Sequence, residues 1–374
     1  MKKITTLALG LLLASAAFAQ KGNKAEVLPS LQSTLGKHFL IGVAVDTRLP
    51  AGQDPAAEAI VKEQFNQVVA ENCMKGEVNH PEVNRFDFTD GDKLVDWAQK
   101  NGKTVIGHCL VWHSQPPKWM FTDANGKPVS REVLIGRMYN HIMTVVTHYK
   151  GKIKGWDVVN EAFEDDGSYR KSPYYNIIGP EFIELAFQFA HEADPNVELY
   201  YNDYSTSKPG KREAICKLVR SLKSKGLRID AVGMQSHNGY NYPDYAEYEK
   251  SIESFAAEGV KVMMTELDVN MLPNPEGFGG AEVCQNFELQ AKYNPYVKGL
   301  DKKAQKLFNQ RYLDLFKIIE RHKNVISRVT FWGVNDGHTW LNDWPIKGRT
   351  NYPTLIDRNN QLKPVVKDIE KLFE

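Results

Sequence analysis

Two glutamates stand where apolar segments of the sequence end. Glu161 follows Asn160 in WDVVNEAF, and Glu266 precedes Asp268 by two positions in TELDV. A pair of carboxyl groups can cleave a glycosidic bond when one protonates the departing oxygen and the other attacks the sugar or activates water. Each glutamate alone is more typical of a surface or ion-paired residue. The interpretation therefore depends on whether the fold brings the two together.

Tryptophan, histidine and amide side chains occur at similar positions in other segments. They include His108, Trp112, Gln115, Gln235, His237, Trp332 and Trp340. Indole faces can stack on sugar C–H groups, while amides and imidazoles can hydrogen-bond to hydroxyls. A single histidine or tryptophan is more often part of a packed core. Their concentration beside polar neighbours favours a carbohydrate-binding cleft, because a core would exclude those neighbours.

The elements that must position these residues are short apolar segments separated by longer helical patterns. One helical pattern spans 131–149, with Leu134, Met138, Ile142 and Val145 on one face. Eight segments are predicted strands: 39–46, 67–75, 104–112, 153–163, 197–204, 231–238, 261–270 and 329–336. Eight alternating units predict an α/β protein with a single TIM (β/α)8 barrel. A doubly wound sheet is the alternative, but polar residues at many strand ends favour the barrel.

The start of the chain has the pattern of a cleavable signal peptide. Two lysines precede an apolar stretch that ends in Ala17-Phe18-Ala19, which predicts a signal peptide over 1–19 and a secreted or periplasmic protein. A cysteine directly after it would indicate a lipid anchor, and none is present.

The remainder of the chain, residues 20–374, contains neither a linker nor a repeat, so we expect one catalytic domain. The long irregular stretch 271–300 is expected to be an active-site loop.

The charge balance indicates what kind of partner the protein binds, and the cysteine spacing indicates whether the cysteines form a metal site. The 47 basic and 46 acidic residues give a net charge of +1, which does not favour nucleic acid or an anionic membrane, so an uncharged partner is expected. The four cysteines, Cys73, Cys109, Cys216 and Cys284, lack the spacing of a metal site and are expected to be buried thiols. We expect a monomer without a metal or cofactor.

Seven motifs in order give the chain a clear resemblance to glycoside hydrolase family 10, the retaining endo-β-1,4-xylanases. The motifs are ENCMK, GHCLVWHSQ, WDVVNEAF, YYNDY, GMQSH, TELDV and FWGVNDGHTWL. They span nearly the whole of 20–374. The resemblance implies hydrolysis of internal bonds in xylan and xylo-oligosaccharides. One departure is Gly76, where many members have tryptophan, so the cleft wall near Lys75 is expected to be more open.

The resemblance also implies a role for each matching residue. Glu161 would be the acid/base and Glu266 the nucleophile. His237, with Asp268 behind it, would keep the nucleophile ionised, and Asn160 would bind the 2-hydroxyl of the sugar under attack. The residues expected to contact substrate elsewhere are Glu71, Asn72, Lys75, His108, Trp112, Gln115, Tyr204, Gln235, Trp332 and Trp340.

Three other functions remain open from the sequence. A non-catalytic carbohydrate-binding protein would need the tryptophans but not two converging glutamates. A metal-dependent barrel hydrolase could use His108, His113, His237 and His338, but such enzymes commonly carry HxH on the first strand, and FLIGVAVD has none. A β-1,4-glucanase of similar layout is the nearest rival.

Overall fold

The structure, a computed structural model, describes residues 30–279 and 283–374. The predicted signal peptide therefore lies outside the described residues. Parallel strands form a closed barrel, as the sequence predicts, and helices surround it. The strands are β1 Leu40–Val45, β2 Gln67–Ala70, β3 Thr104–Trp112, β4 Gly155–Asn160, β5 Glu198–Asp203, β6 Ala231–Met234, β7 His237–Gly239, β8 Lys261–Asn270 and β9 Ile326–Phe331.

The barrel closes through the pairing of its first and last strands. Strands β1 to β5 each pair with the next strand in the chain, β6 pairs with β8, β8 with β9, and β9 returns to β1. The short strand β7 pairs with the end of β8 and continues the direction of β6. The barrel therefore has eight strand positions, and the sixth position is formed by two short strands, β6 and β7.

Helices connect the strands on the outside of the barrel. They are α1 Leu31–Thr34, α2 Pro55–Gln64, α3 Gly76–Asn79, α4 Thr89–Lys100, α5 Arg131–His148, α6 Pro173–Ile178, α7 Phe182–Ala193, α8 Pro209–Ser224, α9 Tyr245–Ala257, α10 Lys302–Arg321 and α11 Val365–Glu370. The face of α5 predicted from the sequence is confirmed, since its four apolar residues are all buried. Ser130 caps this helix by accepting a hydrogen bond from Val133 N at 3.4 Å.

Two apolar layers hold the barrel together. The larger lies between the strands and the surrounding helices, and the smaller fills the interior of the barrel. Tyr200, Met263 and Trp332 contribute to the interior layer, where an Arg328–Asp157 ion pair of 3.6 Å is also buried. Because this interior is packed, substrate can reach only the ends of the strands.

Several strands end differently from the prediction, and two of these differences concern site residues. Strand β2 stops at Ala70 where the prediction ran to 75, and β9 stops at Phe331 where it ran to 336. Strand β4 stops at Asn160, and Glu161 follows with φ at 59°. At the sixth strand position the chain is interrupted between β6 and β7 at Gln235-Ser236, where Ser236 has φ at 65°. A left-handed residue cannot continue a β ladder. The backbone therefore turns at these points and aims the neighbouring side chains across the barrel mouth.

Cys73, Cys109 and Cys216 are buried as expected, whereas the expectation is wrong for Cys284, which is exposed on the loop after β8. That loop contains a 3₁₀ turn at Ala291–Tyr293.

Across residues 30–279 and 283–374, every helix is too short or too polar to cross a membrane.

Candidate active site

A cleft of about 390 Å³ opens at the carboxyl ends of the strands. All of the predicted site residues except Asp268 and Tyr204 line it. They come from the ends of six different strand positions, which is how a barrel assembles a site from residues that are far apart in the chain. The two glutamates therefore lie in one cavity, as the sequence interpretation requires.

Glu161 is buried at the centre of the cleft, with 4% of its surface exposed. One carboxyl oxygen accepts from Trp112 Nε1 at 2.8 Å, and the other accepts from Gln235 Nε2 at 2.9 Å. Burial raises the pKa of Glu161, and the nearby Asp203 acts in the same direction, while His113 and the hydrogen bonds oppose them. The net direction favours a protonated carboxyl group, which is the form that an acid catalyst needs.

Glu266 has the opposite electrostatic environment although it is buried to a similar degree. Burial alone would raise its pKa, but hydrogen bonds and cationic neighbours outweigh burial and lower the pKa of Glu266. His237 Nε2 lies 3.2 Å from one carboxyl oxygen, and Asn202 Nδ2 donates to the other at 2.8 Å. Stabilisation of the charged form favours an ionised carboxylate that is able to attack a sugar.

His237 is held between two carboxylates. Its Nδ1 lies 2.9 Å from Asp268 Oδ2, and that oxygen also accepts from Trp340 Nε1 at 2.9 Å. Although burial lowers the pKa of His237, the two carboxylates raise it to about 10. A protonated ring donates from both nitrogens, so His237 can hydrogen-bond to Glu266 and Asp268 together. Asp268 lies behind the cleft, where it positions His237 rather than lining the cavity.

Two amide side chains connect the glutamates. Asn160 Nδ2 donates to Glu161 Oε1 at 3.2 Å, and Asn160 Oδ1 accepts from Asn202 Nδ2 at 3.0 Å. Asn202 also donates to Glu266, while its own oxygen accepts from Thr265 at 2.6 Å. A satisfied buried network of this kind allows few alternative arrangements. The relative placement of the two carboxyl groups is therefore fixed before substrate binds.

One end of the cleft is built around a buried lysine. Lys75 Nζ donates to Asn72 at 2.8 Å and to Gln115 at 2.7 Å, and it lies 5.0 Å from the centre of the Trp112 ring. Burial lowers the pKa of Lys75. Beside it, burial raises the pKa of Glu71, which also lines the cleft. This end offers donors and acceptors for sugar hydroxyls next to an indole face.

The expectation of a more open wall at Gly76 is wrong. Gly76 is buried, and a Cβ placed there would lie 2.8 Å from Pro117 Cδ. The Pro117 ring therefore occupies the space that a larger side chain would need.

The histidines considered as metal ligands lie in separate environments. His108 Nδ1 lies 2.9 Å from Asp157, His338 Nε2 lies 3.1 Å from Asp54, and His237 contacts the carboxylates described above. In the described part of the chain, the one group of three candidate ligands close enough to share an ion is Glu249, Glu253 and His322, on the outer helices. These histidines therefore do not build a common centre in the cleft.

Tyr204 lies in a second pocket that adjoins the cleft. This pocket has a volume of about 580 Å³, and His237 borders both cavities. Lys211 Nζ lies 3.9 Å from the centre of the Tyr204 ring, and Arg170 hydrogen-bonds to the Tyr204 hydroxyl group. Phe278, on the loop after β8, lines the same pocket. Val283 of the same loop lines the cleft that contains the glutamates, so the loop lies at the site as expected, and the two cavities adjoin at His237.

The structure adds residues that sequence reasoning missed. Asn202 touches Glu266, and Val283, Asp343 and Trp344 line the cleft. The Trp344 ring stacks on Trp340 with centroids 4.2 Å apart. Asn202 could have been found, because it is an amide at the end of a strand whose motif was already noted. Trp344 could not, since its contact depends on the turn at Trp340–Asn342.

Comparisons with known proteins agree with this geometry. Residues 30–372 match glycosyl hydrolase family 10. Endo-1,4-beta-xylanase A of Xylanibacter ruminicola is 60% identical over 100% of both chains. Endo-1,4-beta-xylanase of Geobacillus stearothermophilus is 41% identical over 90% of this chain and 96% of that protein.

Solved structures give the same result. A family 10 endoxylanase from a sugarcane soil metagenome superposes with a TM-score of 0.86 at 42% identity, over 92% of this chain and 99% of the other. Xylanase XynB from Paenibacillus barcinonensis superposes with a TM-score of 0.82 at 37% identity, over 91% and 98%. The resemblance and the single barrel predicted from the sequence are confirmed, and the chain belongs to glycosyl hydrolase family 10.

Proposed function

We propose that the protein is a secreted endo-1,4-β-xylanase that hydrolyses internal bonds of xylan with retention of anomeric configuration. The observation that carries the proposal is a pair of buried glutamates whose pKa values move in opposite directions within one tryptophan-lined cleft. The relatives named as xylanases support the choice of substrate.

The reaction would proceed in two displacements. In the first, the Glu266 carboxylate attacks the anomeric carbon while Glu161 gives its proton to the departing oxygen, which leaves a glycosyl-enzyme ester and an alcohol. In the second, the Glu161 carboxylate takes a proton from water, and the oxygen of that water displaces Glu266. The neutral Glu161 is regenerated. His237 would keep Glu266 ionised, and Asn160 would bind the 2-hydroxyl group of the sugar under attack.

The test compares two variants, each on a natural and an activated substrate. We expect Glu266→Ala to lose activity on every substrate, because the nucleophile is gone. We expect Glu161→Ala to fail on xylan but still to release an acidic phenol from dinitrophenyl xylobioside in a burst, since that leaving group needs no proton. Azide should restore turnover of Glu161→Ala and yield a β-glycosyl azide.

The outcome of this test can reject either part of the mechanism. A burst and azide rescue in Glu266→Ala instead of Glu161→Ala would reverse the two roles. The stereochemistry is measured separately, by following the anomeric protons of the first product of the wild-type enzyme by NMR. An inverted product would exclude the retaining mechanism.

Export is the second part of the proposal and rests on residues 1–19 alone, with their lysines, apolar stretch and Ala17-Phe18-Ala19. N-terminal sequencing of active protein from the culture medium and from a periplasmic fraction tests it. We expect the chain to begin near Gln20. Recovery of active protein that still begins at Met1 would reject the proposal.

A further inference from the structure

The backbone at Glu161 has an unfavourable conformation for a residue with a side chain. Its φ of 59° is in the left-handed region, which costs a non-glycine residue free energy unless the surroundings impose it. A glycine would adopt the same φ without strain but could not carry a carboxyl group. The surroundings must therefore hold the peptide groups on both sides of this residue.

All four polar backbone groups of Glu161 and Ala162 have partners. Glu161 N donates to Asn202 O at 2.9 Å, and Arg170 Nε donates to Glu161 O at 2.9 Å. Ala162 N donates to the Tyr201 hydroxyl oxygen at 3.0 Å, and Ala162 O accepts from Arg170 N at 2.8 Å. Two of these four partners come from side chains, those of Arg170 and Tyr201, which the mechanism above does not use.

The Tyr201 hydroxyl group is fixed from behind by a buried ion pair. It donates to Asp203 Oδ2 at 2.6 Å, and Asp203 Oδ1 accepts from Lys211 Nζ at 3.0 Å. Tyr201, Asp203 and Lys211 are each 0% exposed. Because the hydroxyl hydrogen is committed to Asp203, a lone pair of the oxygen remains to accept from Ala162.

We propose that Tyr201 is a positioning residue for Glu161, with Asp203 and Lys211 fixing its hydroxyl group. The proposal rests on the proposed role of Glu161 as acid/base. By holding the peptide after Glu161 in the left-handed turn, Tyr201 determines where the carboxyl group meets the glycosidic oxygen. Tyr201 does not line the cleft, so its effect passes through the backbone and not through substrate binding.

The variant Tyr201→Phe separates positioning from general stability. It keeps the ring that packs against Phe163 at 5.8 Å and removes only the hydroxyl group, which leaves Ala162 N without its partner. A loss of geometry at a proton donor matters for a poor leaving group and little for one that departs unaided. We expect kcat/KM to fall about tenfold on phenyl xylobioside, with much less change on dinitrophenyl xylobioside.

Tyr312→Phe is the matched control. Tyr312 is equally buried, and its hydroxyl group donates to Pro353 O on the outer side of the barrel. We expect it to lower stability while leaving the ratio of the two kcat/KM values at the wild-type level. An equal loss on both substrates in Tyr201→Phe, or no loss on either, would overturn the proposal.

A second variant covers the case in which Tyr201→Phe does not fold. Arg170→Gln removes the hydrogen bond to Glu161 O from a side chain that is 11% exposed, and it should produce the same dependence on the leaving group. Because Arg170 also hydrogen-bonds to the Tyr204 hydroxyl group, Tyr204→Phe is measured beside it, and a loss in Arg170→Gln that is still uniform after the loss in Tyr204→Phe is subtracted would overturn the proposal equally. If Glu161→Ala itself shows no dependence on the leaving group, the proposed acid/base role fails first, and that result is distinguishable from the others.

Discussion

Glu161 and Glu266 are 4% and 6% exposed, yet their pKa values move in opposite directions. Burial raises the pKa of Glu161, whereas the hydrogen bond from a protonated His237 contributes most to lowering that of Glu266. The difference between the two glutamates therefore lies in their partners rather than in their degree of burial. An acid and a carboxylate can coexist in one cleft because only Glu266 has a hydrogen bond to the protonated His237.

The first prediction concerns the pH dependence of kcat/KM. Activity should fall as the pH rises through the raised pKa of Glu161, because the acid loses its proton. It should also fall as the pH drops through the lowered pKa of Glu266, because the nucleophile gains one. In Glu161→Ala, measured on dinitrophenyl xylobioside, the alkaline limb should disappear and the acid limb should remain. Loss of the acid limb instead would contradict the assignment.

The second prediction concerns Asp268, which maintains the charge of His237. In Asp268→Asn the side-chain oxygen can still accept from His237, but the negative charge that raises the pKa of His237 is removed. A histidine that loses its proton more easily stabilises the Glu266 carboxylate less. The acid limb of kcat/KM should therefore move to higher pH by about one unit.

The alkaline limb gives an internal control for this variant, because Glu161 has no contact with Asp268 among its hydrogen-bond partners. It should stay in place. An acid limb that is unchanged, or that moves to lower pH, would mean that Asp268 does not act through His237.

Most of the barrel followed from the sequence. Strands β3 and β8 match their predicted bounds, since long β-branched and apolar segments have little alternative as strands. The bounds were wrong at the ends of several other strands, including β2 and β9, and two of the errors fall at site residues. The fourth predicted strand ran to 163, but Glu161 turns the chain, and the sixth ran unbroken across Ser236. Left-handed residues other than glycine leave no sign in a periodicity pattern, because tertiary contacts impose them.

The site was predictable to the level of its residues but not of its contacts. The cleft contains the residues that the motifs indicated except Asp268 and Tyr204, while the bridge through Asn202 and the stacking of Trp344 on Trp340 depend on three-dimensional register. The resemblance implies an acid/base at Glu161 and an ionised nucleophile at Glu266, which requires pKa values that are shifted in opposite directions. Their causes, a protonated His237 and the burial of Glu161, required the positions of neighbouring atoms.

The third prediction concerns packing outside the cleft. A Cβ at Gly107 would lie 2.1 Å from the ring of Trp156, which is 1% exposed. We expect Gly107→Ala to lower the free energy of unfolding by about 1–3 kcal/mol, as overpacking does. Gly136, exposed within α5, has no atom within 4 Å of the same position.

Gly136→Ala therefore tests the same substitution with the opposite sign. It should raise the free energy of unfolding by about 0.5–1 kcal/mol, because alanine loses less conformational freedom in a helix. Reversible urea denaturation measures both changes. Equal effects of the two variants would show that the space at Gly107 can be made by relaxation.

The fourth prediction concerns the choice between xylan and cellulose. The two polymers share their linkage, but glucose carries a C6 hydroxymethyl group that xylose lacks. We expect Trp332 and Trp340 to form the wall that this group would meet. A wall of this kind rejects an added group by roughly 1–3 kcal/mol, which corresponds to about tenfold or more in kcat/KM.

A wall rejects a substrate only if it cannot retreat, and the structure shows what holds Trp340. Its Nε1 is fixed to Asp268, and its face is covered by Trp344 at an interplanar angle of 14°. Phe278 in turn packs edge-on against Trp344, with centroids 5.4 Å apart.

Removing Trp344 would leave the hydrogen bond of Trp340 in place but take away the ring that stacks on it. Trp344→Ala should therefore lower the preference for aryl xylobioside over aryl cellobioside, mainly by raising kcat/KM on the cellobioside. Trp344→Phe keeps an aromatic face against Trp340 and should retain most of the preference. If both variants discriminate as strongly as the wild-type enzyme, the selectivity does not depend on the support of Trp340, and if both lose it equally, the flat stack is not what holds the wall.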